Sequence, residues 1–137
     1  MKALSIHAPY AFEIFTGQKV EEYRSWQTPY RGDLLICTSK RWYGADYLHG
    51  HALCIVNLYD IEKLGERDYA WLLKDVRYIE PFPVKGKLHL FEVDDDKIIE
   101  IPAETLKLND EPLTTPEQRG LLMWSVFDQM GLTSKTE

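Results

Sequence analysis

The sequence predicts an α+β, mainly β fold: a small barrel of about six short, mostly antiparallel strands with peripheral helices. Short apolar or alternating runs are separated by turn-forming residues along most of the chain, which is typical of short strands. Strands and helices do not alternate regularly, which argues against a doubly wound parallel sheet. The chain of 137 residues contains no repeat and no low-complexity linker, so we expect one domain with its own core.

The first half of the chain predicts four strands and one helix. The run KALSIHA (2–8) alternates apolar and polar residues and predicts the first strand. Pro9 opens a short helix, which Gly17 ends. Three further strands follow: KVEEYRSW (19–26), DLLICTS (33–39) and HALCIVNLYDI (51–61), the last being the longest apolar run.

The next forty residues are less regular. EKLGERDYAWLLKD (62–75) predicts a loop followed by a short helix, and VRYIEPFPVKG (76–86) starts as a strand and breaks at its two prolines. KLHLFEV (87–93) alternates as a strand, and DDDKIIEI (94–101) predicts a turn and another short strand.

The C-terminal part predicts an amphipathic helix. Thr115 is placed as its N-cap, Pro116 as its first residue and Gly131 just past its end, and the tail after it is expected to fray. We therefore predict a single domain over residues 1–137, of which residues 94–137 form a less diagnostic C-terminal hairpin and helix.

The charge distribution restricts the partners. The net charge of −6 argues against a protein that coats bulk phosphate backbone. The first 43 residues carry a local charge of +2, whereas residues 94–111 carry −5. A local nucleic-acid or nucleotide site in the N-terminal part is compatible with that asymmetry.

The sequence also indicates a compartment. Cys37 and Cys54 both lie inside apolar strand-like runs and are expected to be buried free thiols in a reducing cytosol. No signal-peptide pattern is visible, and no segment approaches the roughly 20 apolar residues of a membrane helix. We expect a cytoplasmic protein with no membrane partner, and the sequence leaves its oligomeric state open.

The stretch GQKVEEYRSW (17–26) concentrates charge and aromatic surface. On a strand Glu22 and Arg24 share one face, so the carboxylate can hold the guanidinium fork. Lys19 adds a mobile cation suited to a phosphate or to an oxygen that develops charge. We expect the Lys19 and Arg24 cations to converge on one partly enclosed hollow. The alternative is an ordinary surface ion-pair cluster worth about 0–1 kcal/mol.

Gly17, Lys19, Glu22 and Arg24 fit the spacing Gly-x-Lys-x-x-Glu-x-Arg, and they are flanked by LSIHAPYAF and YRGDLLICTSK. This region, together with the run from Asp68 to Val93, resembles the ASCH domain family of the PUA-like superfamily of small β-barrels. The resemblance covers roughly residues 1–93. It implies a ligand cleft between the first helix and the barrel, and RNA or nucleic-acid binding linked to translation or its regulation.

Some members of the ASCH domain family are hydrolases, so the resemblance also implies an alternative function. One branch deacylates acylated cytidine with a Lys, a Thr and a Glu, and another branch acts as a ribonuclease. Lys19 corresponds to the lysine of the deacylating branch, but its threonine is Glu22 here, and a carboxylate cannot take the role of a hydroxyl. The partner acid of that branch has three candidates: Glu62, Glu66 and Glu80.

The remaining candidates extend this site. Lys40 and Arg41 form a basic patch, and several aromatic rings offer faces on which a base can stack for about 1–3 kcal/mol: Tyr23, Trp26 and Trp42. His7 at the end of the first strand is a ligand contact or a structural histidine. The pair His49 and His51 lacks a third ligand at useful spacing, so we predict no metal and no cofactor.

We therefore predict RNA, nucleic-acid or nucleotide binding by one set of residues: His7, Lys19, Glu22, Tyr23, Arg24, Trp26, Lys40, Arg41 and Trp42. The alternative is a small ribonuclease or nucleoside amidohydrolase in which Lys19 and Glu22 are catalytic. A third reading, a protein-interaction module that uses the acidic C-terminal part, has less support.

Overall fold

The computed structural model describes residues 1–108, 111–113 and 115–129. Within these ranges the chain forms a seven-stranded mixed sheet, a two-stranded sheet and two α-helices. The helices are α1 (Ala8–Phe15) and α2 (Pro116–Gln129). The strands are β1 (Lys2–Ile6), β2 (Glu21–Arg24), β3 (Gly32–Thr38), β4 (His51–Gly65), β5 (Asp68–Pro83), β6 (Phe91–Glu92), β7 (Glu100–Ile101), β8 (Lys107–Leu108) and β9 (Glu111–Pro112).

The main sheet has the strand order β2-β5-β4-β3-β1-β6, and β7 pairs with β5. Among the strands described, only the β1–β3 pair of this sheet is parallel, and its other pairs are antiparallel. The predicted α+β, mainly β class is confirmed. Over the described ranges the sheet is not closed into the expected barrel, because its hydrogen-bonded order ends at β2 on one side and at β6 on the other.

The helix predicted within residues 62–75 is wrong. Residues 51–83 form one long β-hairpin of β4 and β5, in which Gly65 pairs with Asp68 at the turn. Ala70 and Trp71 point to opposite faces of β5 and are both buried, as is Leu73, so this part of the strand is covered on both faces. A strand covered in this way has a nearly continuous apolar run, which a short helix can also have.

The predicted strand over residues 87–93 is confirmed only at Phe91–Glu92. His89 has a φ of +62°, which breaks the extended conformation before β6. Leu88 is consequently 89% exposed rather than packed in the alternating pattern. The following turn and short strand are confirmed as a 3-10 turn at Asp95–Lys97 and as β7.

The core lies on both faces of the sheet. On one face the aromatic residues Phe12 and Phe15 of α1 pack over the strands, together with Phe127 of α2. Cys54 belongs to this face, whereas Cys37 belongs to the cluster on the other face, and both thiols are buried and free. Burial raises the pKa of the Cys37 thiol to about 12, and that of the Cys54 thiol is also raised.

Helix α2 begins as predicted. The Thr115 hydroxyl accepts from the Gln118 backbone N–H at 3.2 Å, and the Gln118 side chain accepts from the Thr115 backbone N–H at 3.2 Å. This reciprocal cap satisfies two N–H groups that the first helical turn leaves without partners. The predicted end at Gly131 lies outside the described residues. No helix in the described ranges is long and apolar enough to cross a membrane.

Candidate nucleic-acid interface

A buried carboxylate holds two of the predicted site residues together. The Glu22 side chain is only 6% exposed, and it lies on strand β2, which pairs with β5 so that Glu22 is opposite Trp71. One carboxylate oxygen lies 3.0 Å from the Lys19 ammonium, and the other lies 3.2 Å from the Arg24 guanidinium. These side chains are 18% and 25% exposed, so this cluster is more enclosed than an ordinary surface ion pair.

Aromatic rings surround the Lys19 ammonium on its exposed side. It lies 4.7 Å from the ring centre of Tyr10 and 5.9 Å from that of Tyr23. The Tyr23 hydroxyl donates to Glu21 on the opposite strand face from Glu22, as the strand periodicity predicts. The rings of Tyr10 and Tyr23 are 48% and 53% exposed, so both present surface to solvent.

Arg24 lines a cavity of about 540 Å³, a volume within the usual range for small-ligand sites. Its lining includes four cationic side chains and no carboxylate, and the cations are Arg24, Lys40, Lys85 and Lys87. The three lysines are exposed, and none lies within ion-pair distance of an acid in the part of the chain that is described. The cavity is therefore a concentrated positive surface on a protein of net negative charge.

Backbone hydrogen bonds fix the walls of this cationic cavity. The Ser39 N–H donates to the Ile6 carbonyl at 2.8 Å, which continues the parallel pairing of β1 and β3. Gly50 donates to the Ser39 carbonyl at 3.2 Å, and Val84 donates to the Gly50 carbonyl at 2.9 Å. Segments that are distant in sequence are thus connected around one hollow.

Gly86 packs closely against the first strand at the same cavity. A Cβ atom at this position would lie 2.6 Å from the Ser5 hydroxyl oxygen. Both residues line the cavity, so a side chain at position 86 would displace Ser5. The glycine lets the loop that carries Lys85 and Lys87 approach the sheet.

His7 faces the cationic cavity. Its Nδ1 atom lies 3.0 Å from the Ser39 hydroxyl oxygen, and both residues line the hollow. The His7 ring also contacts the Tyr43 ring at 5.5 Å between centroids, and the Arg41 guanidinium lies 5.4 Å from that ring. Arg41 therefore lies beside the cavity, outside its lining.

Trp42 and the two histidines of the predicted pair form a separate group. The Trp42 ring is 58% exposed and stacks on His49 with 4.6 Å between centroids. The His49 Nε2 atom accepts from the Tyr43 backbone N–H at 3.0 Å, and burial lowers the His49 pKa. His51 Nδ1 donates to the His49 carbonyl at 2.8 Å. No cluster of three or more metal-binding side chains occurs among the residues described here.

The expected convergence of the Lys19 and Arg24 cations on one hollow is wrong: they meet at one carboxylate but line different cavities. Lys19 borders a smaller cavity of about 220 Å³ between the end of α1 and β5, lined mainly by apolar side chains such as Ile14 and Leu73. Trp26 lies near Arg24, whose guanidinium carbon is 5.9 Å from the Trp26 ring centre. The structure therefore places Arg24, His7 and Lys40 at the large cavity, while Lys19 and Tyr23 lie at the adjoining surface.

Sequence reasoning missed part of the cationic cavity. The omitted lining residues are Ser5, Ser39, Lys85, Gly86, Lys87 and Leu88. The only sequence signal for them is the Lys-Gly-Lys run at 85–87, which places two cations around a flexible residue. The three glutamates considered as a deacylase partner, Glu62, Glu66 and Glu80, are exposed and lie outside the linings of both cavities.

These features define a class: a small mixed-sheet α+β domain with a cationic cavity of small-ligand size. A family model described as "ASCH domain" matches residues 4–107, and the chain belongs to the ASCH domain family. Among solved structures, the chain is similar to ASCH from Zymomonas mobilis, with 16% identity over 89% of this chain and 93% of that chain, and a TM-score of 0.48. It is likewise similar to a tyrosine-to-phenylalanine mutant of that protein, with 15% identity, coverages of 89% and 96%, and a TM-score of 0.48. No curated protein sequence matches this chain.

Proposed function

We propose that this protein binds RNA, or a nucleotide-sized part of it, in the cationic cavity. ASCH domains are generally associated with RNA binding, which agrees with a local anion site on an acidic protein. The observation that carries the proposal is the set of three lysines around one 540 Å³ hollow, none of which has an acidic partner within the described ranges. Such cations release condensed counterions when they meet phosphates, and this release drives association.

Aromatic side chains near the cationic residues supply surfaces for bases. Trp26 lies next to Arg24, and the exposed Trp42 follows Lys40 and Arg41 along the chain. Stacking of one base on such a ring contributes about 1–3 kcal/mol and tolerates any base. Phosphate contacts at the lysines and stacking on these rings together favour a single-stranded ligand. We place this binding in the cytoplasm, where the free thiols Cys37 and Cys54 stay reduced.

The test is a titration of labelled single-stranded RNA, followed by fluorescence anisotropy at several salt concentrations. The double variant K85Q/K87Q removes two cations, so we expect weaker binding and a logarithmic salt slope that is shallower by about 1.4. Lys63→Gln is the matched control, because Lys63 is exposed on the β4–β5 hairpin and does not line the cavity. Wild-type affinity and slope in K85Q/K87Q would refute the proposed site.

Two single variants separate the parts of the Glu22 cluster. Arg24→Gln is expected to weaken RNA binding because Arg24 lines the cationic cavity. The sequence-based expectation that Lys19→Ala weakens binding too is tested beside it, since Lys19 lines the neighbouring cavity. The hydrolase alternative also depends on Lys19. If the protein turns over RNA or acylated cytidine and Lys19→Ala abolishes this activity, the hydrolase function is favoured over binding alone.

A further inference from the structure

We propose that the cationic cavity selects a terminal phosphate monoester of a nucleotide over an internal phosphodiester of the same strand. This inference rests on the proposed function and specifies its ligand chemistry. The monoester is present either on a free mononucleotide or at the end of an RNA chain.

The cationic cavity has more positive charge than one internal phosphodiester can neutralise. An internal phosphodiester carries a single negative charge, whereas a terminal monoester carries about −1.5 to −2 near neutral pH. Arg24 has one acidic partner, Glu22, while Lys40, Lys85 and Lys87 have none within the described ranges. A dianionic group therefore matches the lining better than a monoanionic one.

The polar side chains that line the cavity suit a terminal phosphate group, which has three free oxygen atoms. Arg24 reaches Glu22 through Nη1, so its Nε–H and Nη2–H remain able to grip a phosphate in two-pronged fashion. Ser5 and Ser39 are half-buried and bring hydroxyl groups, of which that of Ser39 also contacts His7 Nδ1, whereas the lysines are exposed. The close approach of Gly86 to Ser5 brings the loop with its two lysines to the hydroxyls.

The size of the cavity favours one nucleotide. Cavities of about 300–1,000 Å³ enclose most of a small ligand, and this one measures about 540 Å³. Its walls are fixed by the Ser39–Ile6, Gly50–Ser39 and Val84–Gly50 backbone hydrogen bonds. A single nucleotide with its terminal phosphate fills such a hollow, and any remaining strand leaves towards the aromatic surface.

The experiment compares synthetic RNA oligonucleotides of one sequence that differ only at the end. The set comprises 5′-hydroxyl, 5′-phosphate, 3′-phosphate and 5′-methylphosphate forms, the last being a diester with one charge. They compete against a labelled strand at constant salt. We expect one phosphorylated end to compete about tenfold better than the hydroxyl form, as one further charge-assisted hydrogen bond would give. The methylphosphate form should lose most of this advantage.

Calorimetric titration with uridine monophosphate and with uridine tests the free nucleotide. The preference for the monoester should disappear in K85Q/K87Q and persist in Lys63→Gln. If all oligonucleotides compete equally while K85Q/K87Q weakens every one, RNA binding stands and the end selection is refuted. If only the mononucleotide binds, the monoester inference stands and the ligand is a free nucleotide, so binding of an RNA strand is refuted. If neither RNA nor nucleotide binds, both are overturned.

Discussion

Replacing Glu22 by glutamine should destabilise the fold by about 2 kcal/mol. Net hydrogen bonds with an ionised partner contribute about 1.5–3 kcal/mol, and neutral ones about 0.5–1.5 kcal/mol. The amide oxygen of glutamine keeps one of the two contacts in weakened form, whereas its NH₂ group cannot accept from the other cation. The missing contact and the weakened contact together cost about 3 kcal/mol. Water that reaches Lys19 and Arg24, whose side chains are 18% and 25% exposed, offsets about a third of this cost.

Chemical denaturation followed by tryptophan fluorescence measures this change. In a thermal melt, 1 kcal/mol corresponds to about 4 °C for a chain of this size, so the melting temperature should fall by about 8 °C. Glu21→Gln is the matched control: Glu21 lies next to Glu22 on the other strand face and accepts only from the Tyr23 hydroxyl in the described structure. We expect that control to stay within about 0.5 kcal/mol of the wild type. An equally small effect for Glu22→Gln would show that the Glu22 cluster is energetically an ordinary surface ion pair.

Two further predictions concern stability elsewhere in the molecule. Gly120→Ala should destabilise the protein by about 1–3 kcal/mol in chemical denaturation, because the new Cβ would lie 2.5 Å from the Thr16 Cα atom of the backbone. Replacing glycine by alanine also gains about 1 kcal/mol of helix propensity, which this steric contact outweighs. The control is Ser125→Ala, at an exposed position of α2. Equal effects of the two variants would contradict the packing argument. The Arg77 guanidinium lowers the pKa of Glu100, so this pair should stabilise the fold above the ordinary glutamate pKa of about 4.3 and lose its effect as the pH falls through the lower folded-state pKa. Glu100→Gln should therefore destabilise the protein at pH 7 but not at pH 2, and a pH-independent difference would exclude the ion pair as its cause.

Local patterns were sufficient for the N-terminal half of the fold. Alternation in residues 2–6 gives β1, and the apolar run at 33–38 gives a buried strand, because each pattern reflects the faces that the strand presents. The pairing of Glu22 with Arg24 also follows from strand periodicity alone, and the structure shows it at 3.2 Å. These features depend on residues that are close in sequence.

The remaining features depend on residues that the chain brings together from far apart. DYAWLLKD is extended because β2 and β4 pair with it from both sides, and neither partner is visible in the local pattern. Lys85 and Lys87 follow the end of β5 and meet Ser5 and His7 only in the folded protein, because β4 and β3 lie between β5 and β1 in the sheet. The open sheet likewise follows from which strand edges pair, which sequence periodicity does not specify.

The carboxylate of Glu22 serves as a common counter-ion for the two neighbouring cavities, since each of its oxygens neutralises a cation from a different one. An anion bound at Nε and Nη2 of Arg24 shares the positive charge of this guanidinium with Glu22, so we expect the Lys19–Glu22 contact to tighten. Conversely, a group that captures the Lys19 ammonium strengthens the hold of Glu22 on Arg24 and competes with phosphate. We therefore expect occupancy of either cavity to affect the other through this shared carboxylate.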